Sequence, residues 1–192
     1  MNNEIQNWFE VTEEDFENDA EREFLIALCA HSSEWVKLGI TPDSGFIQFG
    51  DSTLTVGIDI TDWERKVCLR ALRIDFSGDR IVFGEDETGQ FGNNFKPGVK
   101  EVRDPGNSPA QFADIAARFL VDEMARKIEL WEWNTLWFRH RNYVLSDTGE
   151  VFVWSDSRNK KRSNLGEPSR ITVVHASHQK AQLDIVKSNP KK

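Results

Sequence analysis

Cysteine is scarce in this chain, and so are the motifs that usually announce an enzyme. Only Cys29 and Cys68 occur among its 192 residues. Two thiols in a chain of this size make neither a disulfide framework nor a cysteine-rich metal module. Each lies within an apolar pattern, the setting of a buried structural thiol. No stretch approaches the roughly 18 apolar residues of a membrane-spanning helix. The opening "MNNEIQNWFEVTEEDFEND" lacks both the basic region and the apolar core of a secretory signal. These features predict a cytoplasmic protein with no membrane partner.

Gly-Lys-Ser/Thr after a glycine-rich turn, GxGxxG, GxSxG and HExxH are also missing. The phosphate loop, the dinucleotide fingerprint, the nucleophile elbow and the zinc-protease helix are therefore not indicated. His175 and His178 stand three apart but follow a strand, and spacing specifies no further ligand. The acid-rich loop "GEDETGQFGNNFKPG" fails the calcium-loop pattern, because neither Gly89 nor Gly92 is preceded by alternating oxygen ligands. It reads as a surface loop. The sequence implies no metal and no cofactor.

What is present is a set of large rings. Seven Trp and thirteen Phe, against one Tyr and two Met, predict a core of rigid aromatic side chains. The net charge of −8 is unevenly spread. Residues 1–50 hold eleven acids against Arg22 and Lys37, whereas residues 151–192 hold nine bases against Asp156, Glu167 and Asp184.

Periodicity divides the chain. Thr12 and Asp15 form a short capping pair, and Phe16, Ala20, Phe24, Ala27, Leu28, Trp35 and Leu38 recur at helical spacing. One amphipathic helix from Thr12 to about Gly39 is predicted. From Gly45 the period changes to two: "GFIQF", "STLTVGIDI", "KVCLRALRIDF" and "RIVF" predict four antiparallel strands. The apolar phase slips near Arg70-Ala71, which suggests a bulge or a strand partly covered on both faces.

Ser108-Pro109-Ala110-Gln111 is a capping box with proline at the first helical position. The stripe from Phe112 through Met124, Ile128 and Trp131 predicts a core helix of about five to six turns. Two strands joined at "SDTGE" follow, then "RITVVHA". The class is α+β: an antiparallel sheet of about six to seven strands with two main helices packed on it, in the order α-β-β-β-β-α-β-β-β. Residues 1–185 read as a single domain and 186–192 as a frayed basic tail.

The stretch "WEWNTLWFRHRN" is the densest local signal. A strand that only packed a core would not place Arg139, His140, Arg141 and Asn142 midway along it. The turn at Gly149 admits two registers. A three-residue loop sets His140 opposite Asp156 and Asn142 opposite Trp154. A four-residue loop sets Arg141 opposite Trp154 and Arg139 opposite Asp156. Gly149 favours the first. Trp133, Arg139, His140, Arg141, Trp154 and Asp156 form the candidate ligand or partner site. No nucleophile accompanies the His140–Asp156 pair, so a small enzyme built on it ranks below the binding readings.

Glu13, Glu14, Glu17 and Glu21 form a candidate acidic face suited to a basic protein partner. Arg158, Lys160, Lys161 and Arg162 form a candidate basic patch. With the hairpin 131–156 and the rest of the loop 158–170, it supports the alternative of a nucleic-acid or phosphate-ligand binder. In element order alone, the chain is similar to compact chaperone-type and immunity-type folds that bind other proteins. The leading expectation is a non-catalytic protein-binding module.

Overall fold

The computed structural model describes residues 8–87, 94–134, 139–152 and 166–175. The chain forms two compact units, Met1–Met124 and Ala125–Lys192. The α+β class holds, with nine antiparallel strands among the described residues, divided between two sheets.

In the first unit, Thr12 does begin an ordered turn. The Asp15 carboxylate accepts from the Thr12 amide at 2.6 Å and its hydroxyl at 2.9 Å, and these bonds hold the acid below the usual carboxylate range. The turn Glu13–Asp15 is a 3₁₀ turn, however, and extended backbone at Phe16 ends it. Helix α1 spans Asp19–Cys29 and is capped by Asn18, whose side chain accepts from the Glu21 amide at 3.0 Å. A shorter helix, α2, covers Ser32–Lys37. The single long helix predicted from spacing is thus three pieces: Phe24, Leu25, Leu28 and Cys29 of α1 and Trp35 of α2 are fully buried, whereas the 3₁₀ turn buries none of its residues.

Five strands follow: β1 (Gly45–Gly50), β2 (Thr53–Asp62), β3 (Val67–Phe76), β4 (Arg80–Glu85) and β5 (Lys100–Arg103), hydrogen-bonded in that order. β5 adds one strand to the four predicted; its charged residues alternate with little apolar content, so periodicity does not flag it. The bulge is present. Ile60 pairs with Arg70 but Thr61 pairs with Cys68, so Leu69 is skipped. Val67 and Leu69 occupy the buried positions there, leaving Cys68 exposed and correcting its expected burial.

Helix α3 (Pro109–Met124) has the predicted cap: the Ser108 amide donates to Gln111 Oε1 at 2.7 Å and the Gln111 amide to Ser108 Oγ at 3.3 Å. Phe24 stacks on Phe76 at 4.3 Å and Phe112 lies 6.1 Å from Phe76, so rings from α1, β3 and α3 meet in the core. Ile128 and Trp131 do not extend the helix. They lie in the next strand, where alternate burial and sheet partners replace the helical period.

The second unit contains β6 (Ile128–Asn134), β7 (Arg139–Leu145), β8 (Val151–Phe152) and β9 (Arg170–His175), in the order β8-β7-β6-β9. The segment predicted as one strand from Trp131 to Leu145 is an antiparallel pair; the chain reverses between Asn134 and Arg139. No glycine or proline marks that reversal in the sequence. Among the described residues no helix is long and apolar enough to cross a membrane. The expected basic tail 186–192 lies outside the described residues.

Candidate functional site

Pairing of β6 with β7 decides which side chains of the tryptophan stretch meet. Trp133 faces His140, Trp131 faces Asn142 and Glu132 faces Arg141. Cross-strand partners share a face and alternate along each strand. Trp131, Trp133, His140 and Asn142 therefore lie on one side, while Glu132, Arg139 and Arg141 lie on the other. The sheet separates the imidazole from both arginines.

On the first side the Trp133 and His140 rings are 5.7 Å apart, and Trp131 and Trp133 are 6.2 Å apart. The Trp133 indole donates to the Gly166 carbonyl at 2.9 Å, and that of Trp131 to Glu129 at 2.9 Å. Glu129 is partly desolvated, yet the Trp131 and Lys127 donors hold its carboxyl below the usual range. On the other side Arg141 Nε donates to buried Glu132 at 2.9 Å, and Arg139 Nε to Asn134 at 3.1 Å. Both arginines are thus held by neighbours on their own face.

The β7–β8 register is Tyr143 opposite Phe152 and Val144 opposite Val151. This is the four-residue loop, not the favoured three-residue one. The Gly149 amide donates to the Leu145 carbonyl at 2.8 Å, and the Leu145 amide to Glu150 at 2.9 Å. Gly149, at φ +70°, takes the left-handed last position of the loop. Either loop ends on such a residue, so glycine did not discriminate between them. The Ser146 amide instead continues the β6–β7 ladder by donating to Lys127 at 3.0 Å. Trp154 and Asp156, and the patch Arg158, Lys160, Lys161 and Arg162, lie outside the described residues.

The acidic face is organised differently from the sequence expectation. Glu21 is buried, and its carboxylate accepts from the Glu17 amide at 3.0 Å. It satisfies the amide just before the Asn18 cap rather than that of the cap itself, and leaves the surface set; the Asn-x-x-Glu spacing at 18–21 was the signal for this. Glu13 and Asp19 converge on Arg22 at 3.4 and 3.2 Å. Glu14 remains exposed, and Glu17 accepts from the Ser52 amide at 3.3 Å. Glu13, Phe16, Glu17, Asn18, Asp19 and Arg22 line a surface hollow of about 310 Å³.

Two arrangements were not legible in the sequence. His31 Nε2 meets Asp114 Oδ1 at 3.0 Å, beside a hollow of about 370 Å³ that Arg118 and Asp122 also line. On the sheet face opposite the first unit's helix-side core, Asp59, Ala71 and Asp86 form one cross-strand row, with Arg73 in the next. Arg73 is held by Asp75 at 2.8 Å and Asp86 at 3.5 Å, and lies 4.8 Å from the Phe95 ring centre. Two of the three loop acids, Glu85 and Asp86, are thus turned inward as partners of Arg70, Lys96 and Arg73. No known protein family, curated protein or solved structure matches this chain.

Proposed function

We propose that the protein is a non-catalytic protein-binding module whose contact surface is the acidic face of residues 10–23, and that its partner is basic. The hollow among Glu13, Glu17 and Asp19 carries this reading. Its three carboxylates outnumber the one guanidinium of Arg22. The Phe16 ring, edge-on to Phe49 at 5.4 Å, supplies an apolar wall for the stem of an entering lysine or arginine. Exposed Glu10, Glu14 and Glu23 surround it and extend the negative field. Such a field accelerates encounter and selects against acidic partners more than it adds affinity.

The test is affinity capture from nuclease-treated native extract with the wild-type chain and with Glu13→Lys/Glu17→Lys/Asp19→Lys. A captured protein should be lost on charge reversal, and its association with the wild type should slow steeply as salt rises. Capture indifferent to both changes removes the reading. Circular dichroism of the variant guards against unfolding.

A further inference from the structure

We infer that the basic partner proposed above is held as an extended segment added to the edge of β1, with its lysine or arginine side chains toward the acidic face; the inference rests on that reading. Among the described residues β1, β5, β8 and β9 lie outermost in the two sheets. β5 carries Lys100, Glu101 and Arg103, charges that ordinarily discourage strand addition. β8 is two residues long. β9 exposes Ile171 and Val173 beside Trp131 but opens on Arg170, which has the partner's own sign of charge. β1 reads Gly-Phe-Ile-Gln-Phe-Gly and carries no charge.

From Ile47 to Gly50 the backbone bonds to β2 and to no other group among the described residues. Amide and carbonyl directions alternate along an antiparallel strand, so every second residue of this stretch aims both groups away from β2. Gln48 and Gly50 are exposed, and Ile47 and Phe49 are half-buried. A passing chain can therefore pair here without displacing any bond of the fold.

The acidic segment runs the length of β1. At one end the Phe9 ring and the Trp8 carbonyl lie so close to Gly45 that an added Cβ would come within 3.1 and 3.4 Å of them. At the other end the Phe16 ring stands edge-on to Phe49 at 5.4 Å, and Glu17 accepts from the Ser52 amide just past the strand. Exposed Glu10, Glu13 and Glu14 come between these contacts. Phe16 also lines the hollow with Glu13, Glu17 and Asp19, which places the hollow beside the Phe49 end of β1. Side chains of an added strand alternate between the two faces. Those in step with Ile47 and Phe49 share the face of Phe16 and meet the carboxylates; the others lie on the face of Gln48. Backbone pairing supplies affinity for any extended segment, and the carboxylates select a basic one.

Titration of the full chain with a peptide of alternating lysine and valine, read by NMR and hydrogen exchange at low salt, tests the pairing. The peptide should bind, and amides within Ile47–Gly50 should gain protection. The same peptide N-methylated at every amide keeps its charge and loses every pairing donor; it should bind about ten-fold more weakly or worse, the worth of one or two net hydrogen bonds. This comparison leaves the protein unaltered. A peptide of alternating glutamate and valine should not bind. Glu13→Lys/Glu17→Lys/Asp19→Lys should weaken binding of the lysine peptide about ten-fold. Gln48→Lys, at an exposed position of the edge, should weaken it several-fold, and Arg170→Glu in β9 should leave it unchanged. Binding that needs the carboxylates but not the peptide amides overturns strand addition and leaves the acidic face standing. Binding indifferent to charge reversal overturns both. No binding at millimolar peptide, or protection of Ile47–Gly50 that is the same with and without peptide, overturns the inference as well.

Discussion

Arg70 of β3 reaches the last turn of α3 at Glu123. Its Nη1 donates to the Glu123 carbonyl at 3.3 Å and its Nη2 to the carboxylate at 2.7 Å, while its Nε holds Glu85 at 2.9 Å. One buried guanidinium thus satisfies a helix-end carbonyl and ties the sheet to the helix. Arg70→Met should cost about 3 kcal/mol in urea unfolding, because Glu85 stays largely shielded from water with Lys96 as its remaining charge partner. Replacing Arg70 and Glu85 together by apolar residues should cost less than the single change. A double replacement as damaging as the sum of the two singles would contradict this account.

Gly57 has a steric duty. It pairs with Phe46, and a Cβ built there would fall inside the Phe46 ring. Gly57→Ala should destabilise by about 1–3 kcal/mol, as overpacking does. In Phe46→Ala the same change should be nearly neutral, since the space is then open. A double-mutant cycle by chemical denaturation reads the coupling.

Cys68 should be inert despite its exposure. Packing around the sulfur and the Asp59 carboxylate beside it push the thiol up to about 12. Burial likewise raises Asp59 above the usual carboxylate range. Alkylation of the native protein, followed by mass spectrometry, should remain slow with no inflection up to about pH 10. Asp59→Asn removes the negative neighbour and should speed the reaction several-fold. Cys29 is fully buried and should not contribute in the folded state.

Asn18→Ala should cost about 1 kcal/mol, the usual worth of a helix cap. Thr12→Ala should cost a few tenths, because Thr12 serves only a three-residue 3₁₀ turn. Equal effects in urea titrations would mean that the two turns unfold as one helix.

At the β7–β8 loop, Arg126 grips Asp147 at 2.9 and 3.0 Å and holds its carboxyl below the usual range. A lowered folded-state pKa stabilises above the unfolded value of ~3.9, and that contribution disappears as pH falls through the folded value. Asp147 is about half exposed, so Asp147→Asn should cost no more than about 1 kcal/mol at neutral pH. The stability difference between wild type and variant should vanish in acid, as followed by denaturant midpoints across pH.

Much of the architecture follows from local rules acting on neighbouring residues. The Ser108–Gln111 box, the alternation from Leu54 to Ile60, the slip near Arg70 and the glycine at Gly149 each depend on a few residues of backbone geometry, and each is present. Where a local signal served two outcomes, tertiary structure chose. Helical spacing runs on past Met124 in the sequence, but Ile128 and Trp131 take strand partners in β7 and β9. A left-handed glycine closes a loop of three or four residues, and the Ser146–Lys127 bond selects four. Glu21 looks like one surface acid among many until the Asn18 cap turns it inward.

Composition and periodicity by themselves determined the α+β class, most strand positions and the sign of charge at each end. They did so because hydrophobic period and turn chemistry are properties of short windows. Only the folded chain decided that His140 lies apart from Arg139 and Arg141, that His31 meets Asp114, and that Ile171 and Val173 face outward beside Trp131. Those relationships join residues through strand register and helix packing, and no spacing along the chain encodes them.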